Sequence, residues 1–165
     1  MREEFRKHFE GKNDVSEIIR LSSDARFSTN RLIQNADLTV DNRSQELTHL
    51  LNKYFSRRIE GDVYAGLIAI PKKKELIAQR ITDLKNSGFV FGNLLHLITF
   101  ASVRLDIPSV GECILAPGDL VLNKYNQEYM PDLSRFEPDG KRFLSMYPSG
   151  MNISAQSDLK FLIIE

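Results

Sequence analysis

The side chains able to do chemistry are thinly spread through this 165-residue chain. His8, His49 and His96 stand apart, and none has a second histidine at metal-ligand spacing. His8 and His49 fall on segments that read as helix surface. His96 sits in the apolar run "LLHLITF" and reads as a core histidine satisfied by a hydrogen bond. Cys113, in "GECILA", has no base beside it to lower its pKa, so it reads as a small buried hydrophobe rather than a nucleophile. A single cysteine also excludes an intrachain disulfide and a multi-cysteine zinc site, and no metal-ligand set is read. Asp132, Glu137, Asp139, Asp158 and Glu165 are the carboxyl groups available for acid–base or metal work. Among them, "PDL" with "DLK" (Asp132, Asp158, Lys160) matches the two acids and a lysine with which a nuclease holds Mg²⁺, a short pattern that also arises by chance. Two basic clusters are able to meet phosphate: Arg57 and Arg58 in "FSRRIEGD", and Lys72, Lys73 and Lys74 in "PKKKE". The lysines precede a helical segment, where the dipole disfavours cations, and no aromatic residues interleave either cluster as a stacking platform. Solvated turns are the plainer reading of both. Glycine-rich phosphate loops and a serine elbow are absent.

The elements that must position these residues change character along the chain. "MREEFRKHFE" places Phe5 and Phe9 on one helical face. "NDVSEIIRLSS" pairs Asp14 with Glu17 at capping-box spacing, and Ser28 or Thr29 can cap a short helix through Ile33. "DNRSQELTHLLNKYFSRR" predicts a helix over Asp41–Arg58, with Leu47, Leu50, Leu51, Tyr54 and Phe55 on one face. "DVYAGLIAIP" reads as a strand ending at Pro71, and the segment near 72–87 as a helix stopped by Gly88. "HLITFASVRLD" fits a long strand, with a helix through Leu94–Ala101 as competitor, because an unbroken apolar run does not reveal its period. Short strands then alternate with turns: "ECIL", "DLVLNKY", "RFLSMY", "MNIS" and "KFLIIE". The expected fold is α+β: a helical N-terminal half (1–60) packed on a β-rich barrel or sandwich (61–165), forming one unit with no Gly/Ser-rich linker.

One stretch is more specific. "ILAPGDLVLNKYNQEYMPDLSRFEPDGK" (114–141) resembles the barrel strand of the dCTP deaminase and dUTPase-like family. Pro117, Gly118, Leu120, Leu122, Glu128, Pro131 and Leu133 fall in the family's order, followed by Asp139, Gly140 and Lys141 at its glycine–basic turn. "ASVRLD" resembles an early strand, and "KFLIIE" the apolar strand that ends in a catalytic glutamate. The resemblance implies a trimeric barrel with sites between subunits, binding a deoxynucleoside triphosphate with Mg²⁺. Lys141 would contact phosphate and Glu165 would activate water. Arg142 and Phe143 stand where the family carries two serines, which implies reduced or lost activity.

Composition bounds what remains. With 42% apolar and 27% charged residues, the chain can build a core without staples. Lys+Arg and Asp+Glu both number 22, which removes any global electrostatic attraction to nucleic acid or membrane. The charged start and the lack of any disulfide point to a cytoplasmic, non-membrane protein. No catalytic constellation is intact, so the leading expectation is a non-enzymatic module that binds another protein or a second copy of itself, with no cofactor. A deoxynucleotide-binding barrel, with Mg²⁺, is the second reading, and a nucleic-acid binder or Mg²⁺-dependent nuclease the third.

Overall fold

Alternation along the C-terminal strands sorts their side chains onto two faces of a sheet, and helices cover both faces. The computed structural model describes residues 14–22, 28–72, 74–137, 139–153 and 158–165. In chain order the elements are β1 (Val15–Ser22), α1 (Thr29–Asn35), β2 (Leu38–Val40), α2 (Gln45–Tyr54), β3 (Asp62–Ala69), α3 (Ile77–Asn86), β4 (Val90–Phe91), α4 (Leu94–Val103), β5 (Glu112–Leu115), β6 (Val121–Leu122), β7 (Glu128–Arg135), β8 (Arg142–Pro148) and β9 (Asp158–Ile164). The main path of the sheet runs β1-β3-β9-β5-β7-β8-β2, with β4 added to β9 and β6 to β7. The β9/β5 and β8/β2 pairs are parallel; the others are antiparallel.

On one face, Leu67, Ile114, Leu133, Leu144 and Leu162 meet α2 and α4. On the other, Ile68, Met130, Phe161 and Ile163 meet Ile77, Ile81 and Leu84 of α3. Each fully buried Leu, Ile or Phe contributes about 1.5–3 kcal/mol relative to exposure. The fold is mixed α+β, as composition and pattern indicated. The sheet does not close, so the expected barrel or sandwich is replaced by one open sheet between helices.

The helical N-terminal half is also corrected. "VSEIIRLS" forms β1, paired with β3, and β2 pairs with β8, so residues before 61 belong to the same sheet as those after it. The Asp14–Glu17 spacing does not make a capping box. Glu17 instead takes φ +54° where the register of β1 shifts between Ser16 and Ile19. That irregularity lets Val15 and Ile18 pack into one core and Ile19 and Leu21 into the other. The β-branched pair and the partner strand override a local helix signal. The "MREEFRKHFE" helix and His8 lie outside the described residues.

"LLHLITFASV" is a helix rather than a strand. Leu94, Leu97, Ile98, Phe100 and Ala101 are all fully buried, between the sheet and α1 and α2, which is why the segment shows no amphipathic period. "EYMPDLSR" is a strand the sequence did not reveal, because Pro131 interrupts it. Pro131 sits where the partner changes from β5 to β6, and its carbonyl still accepts from Ala116 N–H at 2.9 Å. Among the described residues no helix is long and apolar enough to cross a membrane.

Candidate functional site

The turn "APGD" between β5 and β6 docks against the start of α4. Gly118 N–H donates to the Gly92 carbonyl at 2.9 Å, and a Cβ at Gly118 would lie 2.6 Å from that oxygen, so only glycine permits the approach. The approach places Asp119, which is buried, beneath the helix. Its carboxyl group accepts from Leu94 N–H (2.9 Å) and Tyr54 O–H (2.9 Å), with Lys53 Nζ at 3.4 Å. Burial and the bond to Asp119 push the Tyr54 hydroxyl well above its ordinary range, so it remains a donor. Asp119 thereby joins the end of α2 to the beginning of α4.

The first turn of α4 is closed by a reciprocal pair. His96 backbone N–H donates to Asn93 Oδ1 at 3.1 Å, and Asn93 backbone N–H donates to His96 Nδ1 at 3.1 Å. Burial lowers the His96 pKa, partly offset by Asp119, so the ring is neutral at pH 7. A core histidine held by hydrogen bonding was the expectation; His96 is so held, but it is only partly buried and it faces a cleft.

That cleft has a volume of about 900 Å³ and lies between residues 54–61 and the start of α4. Arg57 and Arg58 line it, with Ser56, Glu60, Asn93 and His96. Adjoining it, with Arg57, Arg58, Ile59 and Leu95 in common, is a more enclosed cavity of about 220 Å³, lined also by Leu32, Val103, Thr99, Ser102, Ser22 and Asn35. Arg57 and Arg58 border both spaces. Both are exposed, and among the described residues neither forms an ion pair. The result is two adjoining spaces, the smaller one partly apolar, that share two arginines in their lining.

The other residues singled out from sequence go elsewhere. Lys72 pairs with Asp158 at 3.0 Å, Lys74 is exposed, and Lys73 lies outside the described residues. The lysines follow β3 and the arginines precede it. The eight-residue strand β3, about 26 Å long, separates the two clusters. Asp139, Gly140 and Lys141 share one tight turn: Lys141 N–H donates to Asp139 Oδ1 at 3.1 Å, and Gly140 has φ +65°. This turn borders a separate cavity of about 280 Å³, with Asn35, Asp37 and Arg135. Glu165 immediately follows β9, whereas Lys141 precedes β8. β9 and β8 run in the same direction with β5 and β7 between them, so the two residues lie at opposite ends of the sheet and do not converge within one chain. Asp132, Asp158 and Lys160 do not converge either, since Lys160 pairs with Glu112 at 2.8 Å. Among the described residues no three His, Cys, Asp or Glu side chains group as a metal site.

Cys113 is buried, and burial with the nearby Asp132 pushes its thiol pKa up. Asp132 accepts from Ser145 Oγ at 2.6 Å and from Cys113 Sγ at 3.5 Å, with Ser134 and Asp41 also near. Burial raises its pKa to about 6. The folded state therefore holds a proton between about pH 4 and 6 that the unfolded chain has released, and stability falls as pH rises through this window. At about 1.4 kcal/mol per pH unit, the cost approaches 3 kcal/mol above pH 6. Denaturant unfolding of the wild type and of Asp132→Asn at pH 4 and pH 7 checks it: the stability of Asp132→Asn relative to wild type should be higher at pH 7 than at pH 4.

Arg57, Arg58 and His96 were named from the sequence, His96 as a core histidine; Asn93 and Asp119 were not. The signal for the pair was "GNLLH", an asparagine and a histidine three residues apart at the head of an apolar run. No family model matches this chain, and comparisons with curated proteins and with solved structures return no match.

Proposed function

We propose that this protein is a binding module for a small organic anion, held in the cleft between residues 54–61 and α4. The observation that carries the reading is that Arg57 and Arg58 line both the open cleft and the more enclosed, partly apolar cavity that adjoins it. Guanidinium groups bind oxyanions bidentately, and the cavity has room for a compact apolar body. Binding is proposed rather than catalysis because Cys113 and Asp132 pack on the opposite face of the sheet from this cleft. The expectation of a non-enzymatic module is kept, with a small anion in place of a protein partner.

Calorimetric titration with phenyl phosphate tests it, because this probe joins a tetrahedral anion to one ring. The wild type should bind. The Arg57→Ala/Arg58→Ala double variant should lose at least tenfold in affinity, since each charge-assisted hydrogen bond contributes about 1.5–3 kcal/mol. Absence of binding by the wild type, or equal affinity in the double variant, would sink the proposal.

A further inference from the structure

The capping pair of α4 does more than close a helix. Asn93 has one side-chain acceptor, Oδ1, and it is occupied by His96 N–H. His96 has one acceptor nitrogen in its neutral form, and Nδ1 is occupied by Asn93 N–H. Each bond fixes the other end of its side chain: the Asn93 amide must present Nδ2, and the His96 ring must carry its proton on Nε2. Both residues line the cleft, and among the described residues neither Nδ2 nor Nε2 has a protein partner. The backbone N–H groups of Asn93, Leu94 and His96 are used internally, by His96 Nδ1, Asp119 and Asn93 Oδ1. What the two side chains offer a ligand is therefore chiefly donors, Asn93 Nδ2 and His96 Nε2.

We infer that Asn93 and His96 are recognition residues, and that with Arg57 and Arg58 they form a donor-rich group selective for a phosphate monoester carrying a compact apolar group. This rests on the anion-binding reading of the cleft. A phosphate monoester presents three terminal oxygens and up to two negative charges, against two oxygens and one charge for a carboxylate, so it can engage more of the four donor-bearing side chains at once. The charged side chains lining the space sum to one net positive charge, from Arg57, Arg58 and Glu60, and the nearby Asp119 is engaged by Lys53, Tyr54 and Leu94 N–H.

Asn93→Asp separates recognition from folding. Aspartate keeps the oxygen that caps His96 N–H, so the helix start is preserved, but it replaces the Nδ2 donors with a second acceptor. Asn93→Ser keeps a cap without adding charge. With phenyl phosphate as the probe, Asn93→Asp should weaken binding more than tenfold and Asn93→Ser several-fold, with melting temperatures close to wild type. His96→Ala should weaken it several-fold. Benzoate should bind the wild type at least tenfold more weakly than phenyl phosphate. If the Asn93 variants bind phenyl phosphate like the wild type while the arginine double variant does not, the recognition role of Asn93 and His96 is wrong and the anion cleft stands. If benzoate binds as tightly as phenyl phosphate, the phosphate selectivity is wrong. If the wild type binds neither probe, both readings fall.

Discussion

Arg142→Ala should destabilise the fold by about 3–5 kcal/mol, a large part of the 5–15 kcal/mol that holds a typical domain together. Arg142 is buried, and its guanidinium group donates only to backbone carbonyls. Nη1 is shared among Ala101, Arg104 and Ile107, each at 3.0 Å, and Nη2 donates to Ala36. Ala36 caps the C-terminus of α1, and Ala101 and Arg104 lie at that of α4. One side chain thus satisfies the carbonyls two helices leave open, and its charge complements the negative ends of both. Burial and the neighbouring Arg135 lower its pKa, opposed by Asp37 and Asp106. Truncation leaves several buried carbonyls without donors. Arg142→Lys should recover only part of the loss, because an ammonium group cannot span both helix ends. Denaturant unfolding checks both variants, and a loss below about 1 kcal/mol for Arg142→Ala would show that water replaces the guanidinium at little cost. The residue that stands in place of a phosphate-binding serine in the resemblance thus has a structural task.

Asp119→Ala should cost about 3–4 kcal/mol and should also impair the cleft. It removes the acceptor for Tyr54 O–H and Leu94 N–H and leaves both donors buried. Asp119→Asn retains one acceptor oxygen and should lose roughly half as much. Tyr54→Phe removes only the hydroxyl and should cost about 1 kcal/mol. Thermal unfolding ranks the three; equal losses for Asp119→Ala and Tyr54→Phe would mean that the bond to Leu94 contributes nothing. Because Asp119 joins α2 to α4, its loss should weaken phenyl phosphate binding even where the protein stays folded.

Legibility of the sequence followed the range of the interactions. "RFLSMY" and "KFLIIE" read as strands because they alternate between two buried faces, and α2 was visible from its amphipathic stripe. Its start is Ser44, whose hydroxyl accepts from Leu47 N–H at 3.1 Å, not the more distant Asp41. β1 was misread because its partner, β3, lies far along the chain, while a local capping pattern pointed to a helix. β7 was hidden by Pro131, whose place at a change of partner strand no local pattern reveals. For the cleft, the arginine pair stands out in sequence as chemistry. What brings it to Asn93 and His96 does not, because Asp119 bonds Tyr54 and Leu94 across separations of 65 and 25 residues.

Amide chemical-shift mapping during titration with phenyl phosphate tests the anion cleft most directly, because it reports the place of binding. The predicted result is saturable shifts concentrated at residues 56–60 and 93–96, including the Asn93 side-chain amide. Shifts centred on the Asp139–Lys141 turn or on Lys72 and Lys74, with residues 56–60 and 93–96 unmoved, would contradict it.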